Sequence, residues 1–182
     1  MRIVSGTHKG RRISPDKNFK ARPTTDFAKE NLFNVLNNII DFEDLNVLDL
    51  FSGTGGISYE FASRGAKRVM SVEKNHSHFS FIQKTIQELK FEQIQVIKSD
   101  VFRFLRNYSQ KFDVIFADPP FDMKSFETIP KLVFEKELLS ENGILILEHG
   151  STNDFGTHPN FIEKRSYGSV NFTFFKKHKE QE

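Results

Sequence analysis

The chain has 182 residues, a net charge of +2, 37% hydrophobic and 27% charged side chains, which fits one globular domain with room for a small extension. It contains no cysteine, which excludes disulfides and thiolate metal sites and suits a reducing compartment. No stretch approaches the roughly 20 apolar residues of a membrane span, and no apolar run follows the charged start as in a secretory signal, so a cytoplasmic location is expected.

Charge is unevenly spread. Residues 1 to 25 hold Arg2, Lys9, Arg11, Arg12, Lys17, Lys20 and Arg22 against only Asp16, leaving a slightly acidic remainder. A basic arm on such a body points to a polyanionic partner; a solvated, floppy terminus is the alternative. Arg2 to Ser14 reads as a short strand pair punctuated by Gly6 and Gly10, with Ile3, Val4 and Ile13 apolar. We therefore expect a basic hairpin extension over 1–22 and one α/β domain over 23–182. Pro23 keeps Arg22 extended, and Thr25 or Asp26 is placed to cap a helix. In it Ala28, Leu32, Val35, Leu36 and Ile39 form one apolar stripe.

From Asn46 strands and helices alternate. Strands are expected at Asn46–Phe51, Arg68–Glu73, Ile94–Ser99, Phe112–Ala117 and Ile144–Glu148, mostly continuous apolar runs as in a sheet covered on both faces. Helices are expected around Ile57–Ser63, His76–Leu89, Val101–Tyr108 and Ser125–Leu139. The pattern predicts a doubly wound, Rossmann-like parallel sheet. At the end, Phe161–Arg165 and Val170–Phe175 flank Tyr167-Gly168-Ser169 and read as an antiparallel hairpin.

The first strand runs into Asp49-Leu50-Phe51-Ser52-Gly53-Thr54-Gly55-Gly56. Glycines at such a turn let a ligand approach the backbone and expose the N–H groups of the next helix. The dinucleotide fingerprint would need glycine at 58, where Ser58 stands. The second strand ends in Glu73, followed by Lys74, where an acid is placed to hold ribose hydroxyls. The third is followed by Asp100-Val101, where Asp100 either accepts from an adenine amino group or caps the next helix. All these positions fall at the carboxyl edge of the sheet, where ligands bind. A nucleoside-bearing cofactor follows.

The fourth strand ends in Asp118-Pro119-Pro120-Phe121. In a doubly wound sheet it commonly lies beside the first strand, which puts Asp118 at the mouth of the Gly53–Gly56 loop. An exocyclic amine on a base is a poor nucleophile because its lone pair is delocalised into the ring. Asp118 and the Pro119 carbonyl can both accept from its N–H groups, aiming the nitrogen lone pair at an electrophile; the prolines fix the backbone, and Phe121 can stack on the base.

These motifs together resemble the class I methyltransferases that modify base amino groups, and more closely the RsmD family of bacterial ribosomal RNA guanine-N2 methyltransferases. Met1-Arg2-Ile3-Val4-Ser5-Gly6 with Lys9-Gly10-Arg11, Arg22 to Asp26, Glu30 to Asn34, Ser63 to Ala66 and Tyr167-Gly168 carry the likeness over nearly the whole chain. The resemblance implies S-adenosylmethionine as cofactor in the Gly53–Gly56 loop, with Glu73 on its ribose and Asp100 near its adenine. It implies small-subunit (16S) ribosomal RNA as partner, in an assembled or assembling particle, with the guanine on Asp118 to Phe121. Arg2, Lys9, Arg11, Arg12, Arg22 and Tyr167 are the expected RNA contacts. Ser58 departs from the family, whose members often carry glycine there.

Three alternatives are weighed against this reading. Adenine-N6 methylation of DNA or RNA uses the same Asp-Pro-Pro-Phe. A nucleic-acid-binding protein with a vestigial fold would need no chemistry. A dehydrogenase is disfavoured by Ser58. No metal is expected, because His76 and His78 do not share a helix face. His149 reads as a satisfied strand-end histidine.

Overall fold

The structure, a computed structural model, describes residues 1–15, 26–120, 122–123 and 125–177. The expected boundary between 22 and 23, together with Arg22, Phe121 and the Thr25 cap, lies outside them. Helix α1 (Asp26–Leu36) precedes β1 (Asn46–Leu50), α2 (Gly56–Ser63), β2 (Arg68–Glu73), α3 (His76–Leu89), β3 (Ile94–Lys98), α4 (Val101–Asn107), β4 (Phe112–Ala117), α5 (Thr128–Glu135) and β5 (Leu139–His149). The hairpin β6 (Phe161–Tyr167) and β7 (Val170–Lys176) completes a seven-stranded sheet of order β3-β2-β1-β4-β5-β7-β6. The first five strands pair in parallel, and β7 joins β5 antiparallel. No helix among the described residues is long and apolar enough to cross a membrane.

Side-chain alternation divides the core into two faces. Val47, Val69, Val114, Phe116, Ile144 and Ile146 point to the face covered by α1, α2 and α3. Leu48, Met70, Ile115, Leu145 and Leu147 point to the face covered by α4 and α5. Buried phenylalanines fill both, among them Phe33, Phe61, Phe116 and Phe172 on the first and Phe104, Phe112 and Phe175 on the second.

Most expected elements are observed within one or two residues, with three differences. Helix α5 is shorter than Ser125–Leu139: Thr128 donates back to the Ser125 carbonyl, and Glu137 takes a left-handed φ of 50° that ends the helix. Leu139 then already pairs with Phe112, so β5 starts five residues before Ile144, with a register shift between Phe112 and Val114. Helix α1 stops at Leu36, and Ile39 is 47% exposed rather than completing the stripe.

The third difference is the N-terminal segment. The expected strand pair is a single antiparallel bridge, Arg2 to Arg12, flanked by backbone bonds from Ile3 to Arg11, Gly10 to Ile3 and Ile13 to Met1. It is stitched onto the domain rather than projecting from it. Ile3 and Ile13 are buried. The N–H groups of Val4 and Ser5 donate to the two oxygens of Glu60 at 2.8 and 3.0 Å. Thr7 N–H donates to the Ser63 carbonyl at 2.7 Å, and His8 N–H to Ser63 Oγ at 2.9 Å. Gly6, at φ +80°, passes so close that a Cβ there would stand 1.7 Å from the Ser63 carbonyl oxygen.

Glu60 has no exposed surface and also meets Arg64 at 2.9 Å and Lys29 at 3.7 Å. Burial pulls the Lys29 ammonium below its usual pKa, against the opposing pull of Glu60 and Asp26. Removing one partner of such a buried network leaves charge uncompensated, at a cost of about 3–5 kcal/mol. Glu60→Ala is expected to destabilise the protein by about that much and, by releasing the docked backbone, to speed trypsin cleavage after Arg2, Lys9, Arg11 and Arg12. Denaturant unfolding with timed proteolysis measures both; unchanged cleavage at these sites would disprove the anchoring role.

Candidate active site

The carboxyl edge of the sheet opens into a cavity of about 680 Å³. Because β4 lies next to β1, the glycine turn after one and the Asp-Pro-Pro corner after the other share it. Phe51, Gly53 and Gly56 line it from the turn, Glu73 and Lys74 from the end of β2, Asp100 and Val101 from the start of α4. Asp118, Pro119 and Pro120 close the side beyond β4. Of the expected cofactor residues only Gly55 is not on the wall. It stands behind the turn, at φ +80°, with its Cβ position 2.6 Å from the Tyr59 ring. A side chain there would be strained and would strike that ring, which stacks on Phe91 at 6.0 Å.

Asp49 is 1% exposed and accepts from Ser58 N–H at 3.2 Å and Ser58 Oγ–H at 2.5 Å, and Ser58 Oγ in turn meets Ser71 Oγ at 2.6 Å. The departure from glycine at 58 thus carries a hydroxyl that holds this carboxylate. Burial pushes the Asp49 pKa up to about 7; the Ser58 bonds oppose this, and the negative Asp118 and Glu73 add to it.

Glu73 is 8% exposed, and its two oxygens accept from Gly53 N–H at 2.8 Å and Asn75 N–H at 2.7 Å. It is not the exposed helix cap that a lone acid at this position would suggest: Asn75 caps α3 instead, accepting from Ser77 and His78. A carboxylate has about four lone-pair sites, so Glu73 keeps acceptor capacity toward the cavity. Asp100 caps α4 through Arg103 N–H at 3.2 Å, and it also stands on the cavity wall beside Lys74 at 3.3 Å. These bonds hold the Asp100 pKa below its ordinary value, although partial burial pushes the other way.

The expected RNA contacts lie differently. Lys9, Arg11 and Arg12 are exposed on the N-terminal hairpin. Arg2 is engaged with Glu30 on α1. Tyr167 packs its ring against Phe172 at 6.0 Å, and Ser169 and Val170 after it reach the cavity wall. His149 is 2% exposed: its Nδ1–H donates to the Gly150 carbonyl and its Nε2 accepts from Thr173 Oγ1 at 2.7 Å. It is a satisfied strand-end histidine, and burial lowers its pKa.

Several wall residues escaped sequence reading. Lys29 and Met1 reach the cavity from α1 and the N-terminal segment, and Thr54, Ile57, His78 and Phe116 complete it. Glu148, at the end of β5, was the one with a readable signal, since it shares the carboxyl edge with Glu73 and Asp118. Lys29 gave none; its place depends on how α1 docks.

A doubly wound sheet whose glycine turn, acidic second strand end and Asp-Pro-Pro corner face one cavity defines a class I methyltransferase, a class that works with S-adenosylmethionine. The comparisons narrow this. The chain belongs to the RsmD family, whose model, described as "Conserved hypothetical protein 95", matches residues 1–176. It is 31% identical to ribosomal RNA small subunit methyltransferase D of Haemophilus influenzae, over 96% of this chain and 93% of that one. A solved structure of a provisionally assigned Escherichia coli methyltransferase matches with a TM-score of 0.85 and 25% identity, covering 97% of both chains. A hypothetical protein of Thermus thermophilus shares the fold with a TM-score of 0.85 at 24% identity, over 97% of this chain and 99% of that one.

The raised Asp49 pKa has a stability consequence. Between about pH 4 and 7 the folded chain keeps a proton on Asp49 that the unfolded chain has lost, so this group's contribution falls as pH rises through that window. The ligand-free protein is expected to melt at progressively lower temperature from pH 5 to 7. Asp49→Asn should flatten that slope, each pH unit being worth up to about 1.4 kcal/mol. Parallel slopes for the two proteins in calorimetric melts would contradict the assignment.

Proposed function

We propose that the protein transfers a methyl group from S-adenosylmethionine to the exocyclic N2 amine of a guanine in small-subunit ribosomal RNA. The observation that carries this is the placing of Asp118 and Pro119 on the same cavity wall as the Gly53 turn and Glu73.

The residues present fit the cofactor. It brings a cationic sulfonium and ammonium, a ribose diol and an adenine amine, all served by acceptors, and Asp49, Glu73, Asp100 and Asp118 supply carboxylates around the cavity. Glu73 would hold the ribose hydroxyls and Asp100 the adenine amine. Asp49 would face the cationic methionine end, with Phe51, Lys74 and Val101 lining the nucleoside. When bound, S-adenosylmethionine supplies an electrophilic methyl carbon.

The chain does the rest by positioning. Asp118 and the Pro119 carbonyl accept from the two N–H groups of the amine, which pyramidalises the nitrogen and aims its lone pair. Orientation of this kind is worth on the order of 7–11 kcal/mol. Asp118 also stabilises the positive charge that develops on nitrogen and accepts or relays the proton that must leave. Pro119 is buried and Pro120 exposed, so the corner is fixed from behind and open to substrate. Phe121 would stack on the base, and Lys9, Arg11, Arg12 and Arg22 would contact phosphates, with Arg2 and Tyr167 at the rim. Lys29 and Met1 bring the N-terminal face to the same opening. The relatives named for small-subunit methyltransferase activity support ribosomal RNA as substrate. Adenine-N6 methylation is the alternative, since the corner accepts from either amine.

Mass spectrometry of small-subunit RNA from cells lacking the protein is expected to show the loss of one N2-methylguanosine; loss of N6-methyladenosine instead would establish the alternative. Asp118→Asn should lower kcat by about 10²–10⁴-fold while calorimetry shows cofactor and RNA binding retained. Replacing Lys9, Arg11 and Arg12 together by alanine should make the slope of log affinity against log salt shallower by about 2, if each touches a single-stranded phosphate. An unaltered slope would remove the hairpin from the RNA contact.

A further inference from the structure

Four adjacent strands send an acidic side chain to the same face of the sheet at its carboxyl edge. Glu73 ends β2, Asp49 lies in β1, Asp118 follows β4 and Glu148 lies in β5, and all four line the cavity. The alternation fixes their direction. Ser71, Val47, Phe116 and Ile146, each two residues earlier, face the α1–α2–α3 side, Ser71 by its bond to Ser58 and the others by their packing. The first three carboxylates have roles in the proposed reaction. The fourth has none, and it stands next to the corner that would hold the amine.

Glu148 is 3% exposed. It is paired in register with Phe172, and Phe116 and Val170 line the same part of the cavity. Its strand neighbours β4, so Glu148 and Asp118 project side by side from strands about 4.8 Å apart. On the Watson–Crick edge of guanine, the N1–H donor lies directly beside the N2 amine. On adenine, the atom beside the N6 amine is N1, an acceptor. A carboxylate accepts and does not donate, so it pairs with the first edge and opposes the second.

We propose that Glu148 accepts the N1–H of the target base while Asp118 and Pro119 hold its N2 amine, making Glu148 the residue that selects guanine over adenine. This inference rests on the guanine-N2 reading above. It also explains how an Asp-Pro-Pro-Phe corner indifferent to the kind of amine can serve one base: selection sits on the neighbouring strand. A site built to pair with a substrate N–H rejects an analogue lacking it strongly, because buried polar groups are then left facing each other unpaired.

The discriminating probe is 2-aminopurine, which keeps the N2 amine but has an N1 acceptor and no O6. Small subunits are reconstituted with RNA carrying guanine or 2-aminopurine at the position methylated by the wild-type protein, that position first being mapped by mass spectrometry. Methyl transfer is then compared for wild type, Glu148→Gln and Glu148→Asp, with S-adenosylhomocysteine affinity by calorimetry as a check of the fold. Wild type should prefer guanine over 2-aminopurine by on the order of 10²-fold or more in kcat/KM. Glu148→Gln, whose amide oxygen still accepts the guanine N1–H while its NH2 can donate to the 2-aminopurine N1, should bring that ratio to within about threefold, mainly by gaining 2-aminopurine activity, with the S-adenosylhomocysteine affinity unchanged. Glu148→Asp should be slower yet keep the preference, and it carries the test if the glutamine variant fails to bind S-adenosylhomocysteine. An undiminished preference in Glu148→Gln, a lost preference in Glu148→Asp, or no preference in wild type would overturn the role of Glu148 while leaving guanine-N2 methylation standing. A mapped wild-type product other than N2-methylguanosine would overturn the reading beneath it as well.

Discussion

The carboxylate of Glu60, with no exposed surface, is where three parts of the chain are tied together. Val4 and Ser5 donate to it from the N-terminal segment, Lys29 faces it from α1, and Arg64 meets it from the end of α2. Arg64 also lies over the rings of Phe33 and Phe42 at 4.7 and 5.1 Å, and reaches Asn37. Glu60 is on the same helix that begins at the glycine turn, so the segment bearing Lys9, Arg11 and Arg12 is registered against the glycine-turn side of the cavity. The basic surface of this segment and the pocket beneath it are therefore fixed to one another, and Lys29 and Met1 lining the cavity follow from it.

Electrostatics within the cavity follow from the sheet. A parallel sheet lines up the ends of its strands, and this sequence places an acid at or near four of them. Burial, and to a lesser degree repulsion from Asp118 and Glu73, make the central member, Asp49, hold its proton to about pH 7. A cavity of that kind is unfavourable when empty and favourable for a cation. Ser58 moderates the cost by donating its hydroxyl to Asp49 from behind, with Ser71 Oγ in turn against Ser58 Oγ, which glycine at 58 could not do.

Much of this was legible from the residues. Apolar runs of β-branched and aromatic residues located the strands, and the helix expected over His76–Leu89 matches α3 end to end. The glycine turn, Glu73, Asp100 and the Asp-Pro-Pro corner fell together because strand ends in this topology share an edge. Local patterns failed where tertiary context decided the outcome. Leu138 and Leu139 continue the apolar stripe of α5, yet Glu137 ends the helix and Leu139 pairs with Phe112. Glu60 and Lys29 look like ordinary surface charges of amphipathic helices, and only the docking of the N-terminal segment buries them. Ser58 read as a flaw in a glycine motif because its partner, Asp49, is nine residues away and across a turn.

The far wall of the cavity has a different origin from the rest. It comes from the tip of the β6–β7 hairpin, where Ser169 and Val170 arrive because β7 runs against the direction of β5. Gly168 beside them has open space around its Cβ position. Val170 is part of the larger core cluster and Tyr167 packs against it, so the tip is seated on the α1–α2–α3 side of the sheet. The two sides of the cavity are thus supplied by stretches of chain more than a hundred residues apart, Gly53 and Gly56 on one side and Ser169 and Val170 on the other, and the sheet alone brings them together.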